Sequence, residues 1–342
     1  MRLGNLKLMP VLNHQLRTRL STLGFICAPL LLMPALVQAQ DWQVQVGAQS
    51  KDLGRQVIAF LPNELWIHAG DSVAFTVATD EPHTVTFLTP GQVRPPFPVG
   101  CPPTPPGTTP SGSAEDGSSC VNSGTLTKGQ GYWVTFPTAG DYKLVCLYHQ
   151  NHTAMIHVLD LSADLPHDRE FYRAEAADME KDMLSSAGHM MDHDMDSSRD
   201  EVTAGTGAIT ATGGGSDTLS VMRFMHPDKV IHVGETVEWT NDDPITPHTI
   251  TFGVEPDNPM PPSGSVTIST DPDGALHATI SSPADNVHSG FIAAAPQDQI
   301  GSPQTPPGVT RFRVTFTQPG VFQYKCALHD VLGMIGKVTV LP

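Results

Sequence analysis

Two stretches of the 342-residue chain hold side chains that could do chemistry together. Near the end lies Cys326-Ala-Leu-His329-Asp-Val-Leu-Gly-Met334, a thiolate, an imidazole and a thioether on one short loop spaced C-x2-H-x4-M. Upstream, Thr246-Pro-His248-Thr-Ile-Thr-Phe252 offers a second imidazole. Two imidazoles and a thiolate close in, with a weakly held thioether, suit a soft metal, and copper above all. The set is soft enough for Cu(I) and rich enough in imidazole for Cu(II). Holding both states in one rigid cage lowers the reorganisation that electron transfer requires. The first half carries a related set: His83 in Pro82-His-Thr-Val-Thr-Phe87, then Cys146-Leu-Tyr-His149-Gln-Asn-His152-Thr-Ala-Met155.

The C-terminal third resembles the plastocyanin-like blue-copper (cupredoxin) family, and the resemblance returns, altered, in the N-terminal half. It implies two copper ions, one per domain, with a type 1 site at His248, Cys326, His329 and Met334. In the first domain His83, Cys146 and His149 carry over directly, but the axial ligand does not. Met155 falls one residue too far from His149 to match Met334. Met334 is followed by x-Gly-x-Val-x-Val, and His152 by x-Ala-x-Ile-x-Val. Strand alternation then puts Ala154, Ile156 and Val158 on the face taken by Gly336, Val338 and Val340, and Met155 on the other. This register favours His152 as a third imidazole, giving an altered, His-rich site of lower potential. A loop longer by one residue would keep Met155 as the alternative axial ligand, and a degenerate site that binds metal poorly is a third reading.

The elements that must position these residues repeat. Trp42-Gln-Val-Gln-Val46, Val57-Ile-Ala-Phe-Leu-Pro62 and Leu65-Trp-Ile-His-Ala-Gly-Asp-Ser-Val-Ala-Phe75 alternate as strands broken by glycine turns. Val221-Met-Arg-Phe224 answers Val57 to Phe60, and Ile231 to Trp239 answers Ile67 to Phe75. Pro247 to Phe252 answers Pro82 to Phe87, and Phe312 to Phe316 answers Tyr132 to Phe136. So many matches in one order predict two tandem Greek-key β-sandwiches, an all-β fold, with long inserts between the His and Cys of each. His68 and His232 fall at matching strand positions, and His288 sits opposite Asn122; repeat geometry accounts for these better than metal does.

The expected organisation is a signal peptide over 1–39, cupredoxin domains over 41–160 and 207–342, and a linker over 161–206. Arg2, Lys7, Arg17 and Arg19 precede an apolar run from Leu23 to Leu36, and Val37-Gln-Ala39 offers a small-residue cleavage site. An exported, periplasmic protein without membrane insertion follows. In the linker, His167 to Leu184 has helix-forming composition. Ser185 to Ser198 is polar, acidic and rich in Met and His, which predicts a mobile tether. Cys101 and Cys120 flank a Pro/Gly/Ser-rich insert and are natural disulfide partners in an oxidising compartment.

The formal net charge is −16, and loss of the leader leaves 15 basic against 35 acidic side chains. That surface disfavours nucleic acid and anionic membranes and favours a redox partner with a cationic docking surface. The expected function is an exported electron carrier; copper storage or delivery is the alternative, and a copper-dependent reductase or oxidase a more distant one. Against the enzyme stands the motif set that resemblance to multicopper oxidases would demand. No two histidines are two residues apart, and Val145 and Lys325, not His, precede the two cysteines.

Overall fold

In the computed structural model the described residues are 40–96, 99–101, 107–196, 201–294 and 309–342. The leader expected over 1–39 lies outside them. Within each repeat, strands form where apolar and polar residues alternate, and their buried positions mesh into one core. The first core gathers Trp42, Val44, Phe60, Phe75, Phe87, Val134 and Phe136, and the second Phe224, Trp239, Phe252, Phe312, Phe316 and Tyr324. The fold is mostly β, two tandem β-sandwich domains with a helix between them in the chain.

Each domain owns one sheet outright. In the first it has five strands, with Gly140–Val145 between Thr153–Leu159 and Thr86–Phe87. In the second it has six, with Gly320–Lys325 between Ile335–Leu341 and Thr251–Phe252. The opposing sheets of the two sandwiches, four strands from the first domain and six from the second, form a single ten-stranded sheet that runs through both. The join is antiparallel, Arg55–Leu61 against Ser216–Met225, with Gln56 opposite Ser220 and Val57 opposite Leu219. These two strands answer each other in the repeat, so the domains meet through the same surface on each, as in an isologous dimer.

The joining strands are buried on both faces, which explains the unbroken apolar run Val57–Leu61 of the first. Phe60 points into the first core, while Val57, Ala59 and Leu61 point the other way, against Ala176, Met179, Met183 and Leu184. Those four belong to the helix Arg169–Asp196, which lies over the seam. Of the mobile tether expected over Ser185–Ser198, the part up to Asp196 is instead the end of this helix, and the rest lies outside the described residues. Met183, Met190 and Met191 pack on Leu219, Val221 and Met225 of the second domain. Composition pointed to a solvated spacer, but flexible thioethers also fill an irregular apolar groove well. Among the described residues, no helix is long and apolar enough to cross a membrane.

Cys101 and Cys120 form a disulfide, with Cα atoms 5.5 Å apart, that closes the long insert of the first domain. His288 and Asn122 also tie inserts down. His288 bonds Thr251 Oγ1 at 2.8 Å and the Pro259 carbonyl at 2.9 Å. Asn122 accepts from Thr86 Oγ1 at 2.9 Å and donates to the Gly107 carbonyl at 2.8 Å.

Candidate metal centres

The strand–loop–strand that ends each domain delivers its cysteine and histidine to the same end of its sandwich. In the second domain, Cys326 Sγ lies 3.8 Å from His248 Nδ1 and 3.4 Å from His329 Nδ1, and the two Nδ1 atoms are 3.0 Å apart. In the first, Cys146 Sγ lies 3.8 Å from His83 Nδ1 and 3.7 Å from His149 Nδ1. His152 joins that group, and all four of its ligand atoms converge. Every one of these side chains is buried. Among the described residues these are the two groups of His, Cys, Asp or Glu that could hold an ion. His189 and His193, on the helix, belong to neither.

Backbone pairing aligns the two loops residue by residue. Cys146 N–H donates to the His152 carbonyl at 3.0 Å, and Cys326 N–H donates to the Met334 carbonyl at 3.1 Å. The following residues pair alike, Val145 with Thr153 and Lys325 with Ile335. His152 therefore stands where Met334 stands. Met155 lies on the outer face of its strand, between the partly exposed Thr153 and His157, and its N–H bonds Asn63 O. Met334 is fully buried in the second core.

Both thiol groups are prepared alike. Thr84 N–H donates to Cys146 Sγ at 3.4 Å and Thr249 N–H to Cys326 Sγ at 3.3 Å. The hydroxyls of these threonines hold the next backbone N–H, of Leu147 and Ala327. Burial by itself would raise both thiols. Hydrogen bonds with His149 and His83 and the nearness of His152 outweigh it at Cys146, and the charge and hydrogen bonds of His329 and His248 do so at Cys326. Both cysteines are held well below the usual thiol range, as metal-ligating thiolates require.

The residues fit a metal by another sign. His152 is fully buried, yet neither ring nitrogen has a protein partner. Buried polar atoms are nearly always bonded, so an orphaned imidazole among three other ligand atoms fits an ion. His83 and His248 face their cysteines through Nδ1 and leave Nε2 unpartnered and buried. Those Nε2 atoms abut Gly47 and Gly205, where a bulge breaks the register of each domain's first strand. A Cβ at Gly47 would come within 2.9 Å of His83 Nε2, and one at Gly205 would overlap His248 Nε2. Both glycines have positive φ, 70° and 78°. The sequence signal was available: Val46-Gly47-Ala48 and Ala204-Gly205-Thr206 hold matching places.

Residues 44–159 and 208–341 both match the family model of copper-binding proteins of the plastocyanin/azurin type. The chain belongs to that family. This cupredoxin has two tandem copies, each with a candidate metal group, which fits one copper per domain. Solved structures similar to it include the reduced state of an amicyanin proline-to-phenylalanine variant, 20% identical, covering 35% of this chain and 82% of that one, with a TM-score of 0.23. A reduced tryptophan-to-tyrosine amicyanin variant is 22% identical, covering 36% and 88%, with a TM-score of 0.24.

One residue that motif reading missed stands between the centres. Glu81 is buried between the domains, its Oε2 3.7 Å from His149 Nε2 and its Oε1 3.6 Å from His329 Nε2. Burial would raise its carboxyl, but the nearby His149 and the charges of His329, His149 and His83 bring it down to about 2. Burial likewise opposes protonation of His149 and His329, while their cysteines and Glu81 raise each to about 9. The outer edge of His329 thus faces a carboxylate of the other domain, the same one that His149 faces within its own.

Proposed function

We propose that the protein is an exported electron carrier that holds copper at two centres. The first is built from His83, Cys146, His149 and His152, the second from His248, Cys326, His329 and Met334. Copper bound there supplies a one-electron Cu(II)/Cu(I) couple. The supporting observation is the pair of buried, convergent thiolate–imidazole groups, each fixed by backbone pairing and by a threonine N–H on sulfur. Such cages resist rearrangement, which favours passing electrons over releasing metal.

A third imidazole in place of a thioether favours Cu(II), so the first centre has the lower potential and electrons settle at the second. The acidic surface steers the carrier to a cationic redox partner, with weak, salt-sensitive association. Neither nucleic acid nor a membrane is a partner in this reading. Met183, Met190 and Met191 pack against the sheet, so that stretch is a fixed helix and not an open tether, which favours the carrier over storage or delivery.

The deciding experiment is the optical and EPR spectrum of the copper-loaded chain and of its Cys146→Ala and Cys326→Ala variants, with a reductive titration. The carrier reading expects two electrons per chain, a blue spectrum surviving loss of Cys146 and a different one surviving loss of Cys326. Failure of either centre to hold copper tightly, or rapid loss of copper to a chelator, would overturn it.

A further inference from the structure

We propose that Glu81 couples the two centres, so that the metal state of one domain sets the affinity of the other. The inference rests on the reading that both groups hold copper. Histidine ligands commonly give their second ring nitrogen to a carboxylate, which fixes the ring and makes it a better donor. Here one carboxylate serves two ligands in two domains. Oε2 takes His149 and Oε1 takes His329, while the Nδ1 atoms of the same rings face Cys146 and Cys326.

Glu81 has little freedom to divide its attention otherwise. It is buried, its N–H is held by Thr79 Oγ1 at 3.3 Å, and Pro82 joins it to His83, a third member of the first group. A positive charge placed on one imidazole by metal draws the shared carboxylate toward that ring. The opposite N–H···O contact weakens in proportion, so the second ion binds less tightly than it would alone. By linkage the penalty is reciprocal, the same factor whichever centre fills first. The device is single. In the second repeat the place of Glu81, before Pro247-His248, is held by Thr246, which has no charge to share.

The test uses the full-length chain and copper itself, with a competing chelator as the reference. Affinity at the second centre is measured in wild type with the first centre loaded and in Cys146→Ala, where it cannot load; Cys326→Ala gives the reverse comparison. The expected result is weaker binding at each centre when the other is filled, by the same factor. Adding Glu81→Gln to each variant should lower affinity at both centres by about 10–100-fold and shrink the coupling factor toward one. A substitution in the first domain that weakens the second centre, while the melting temperature of the metal-free chain stays near wild type, is a result that simple structural damage does not produce.

Two independent copper sites in wild type would overturn the coupling while leaving the carrier reading intact, with no variant needed. Loss confined to the first centre in Glu81→Gln would overturn it as well. Absence of copper binding at both wild-type centres would overturn the carrier reading and the coupling together.

Discussion

Gln56 and Ser220 occupy equivalent places in the two repeats and pair with each other across the join of the ten-stranded sheet. A local two-fold axis therefore passes through the seam, and the side chains beside it also come in equivalent pairs. Ile58 and Met222, one from each repeat, pack together under Leu332, which belongs to the loop carrying His329 and Met334. The seam that joins the domains is thus continuous with the wall of the second centre.

Truncation at that point should be felt in both domains. Ile58→Ala removes a fully buried side chain, and losses of about 2–5 kcal/mol are usual for such changes. Calorimetry is expected to show one unfolding transition in wild type and two in the variant. A single cooperative transition at a slightly lower temperature would mean that the seam does not carry the cooperativity.

The bulge glycines make a paired prediction. Gly205→Ala pushes a methyl group into His248 and also forces an L-residue to φ 78°, which by itself costs roughly 1–2 kcal/mol. Copper affinity should fall at the second centre alone, whereas Gly47→Ala, whose methyl meets Thr79 as well as His83, should weaken the first most. Site-resolved copper titration reads both, and equal effects at the two centres would contradict the assignment.

The axial positions can be exchanged. His152→Met should bring the spectrum of the first centre toward that of the second, because their backbone registers coincide at this residue. Met155→Leu, on the outer face of the strand, should leave both spectra unchanged. A spectral change in Met155→Leu would restore the longer-loop alternative.

Asp217 makes stability depend on pH. Burial between the domains pushes its carboxyl up to about 8, although Asn63 donates to Oδ2 at 2.7 Å; Oδ1 has no partner. An acid whose folded pKa is raised stays neutral in the native chain while the unfolded chain ionises. Stability is therefore full below the unfolded value of 3.8, declines as pH rises, and levels off above about 8. Asp217→Asn should remove this decline and stabilise the protein at pH 8 by a few kcal/mol, since each tenfold change in an acid's ionisation constant is worth roughly 1.4 kcal/mol. The check is the melting temperature at pH 4 and pH 8; an equal effect at both would refute it.

Local pattern determined much of this protein by itself. Alternation along strands such as Trp42–Val46 and Phe312–Phe316 reports which face is buried, because side chains switch sides at every residue. The strand after Cys146 carried enough periodicity to separate His152 from Met155. The spacing of Cys326, His329 and Met334 is short enough that one loop must gather them. The continuous apolar run Val57–Leu61 also held a message, burial on both faces, but not what lay on the second face.

Tertiary structure decided what no spacing encodes. The Met-rich segment after Ser185 has the composition of a spacer and became helix because the joining strands offered it an apolar groove. The long-range seam pairs residues far apart in the chain, and helix and strand periodicity are blind to such partners. Glu81 reads in sequence as one acidic residue before a proline. Only the folded chain brings His149 and His329 to its two oxygens, because a carboxylate acts through distance and burial, and neither is a property of sequence position.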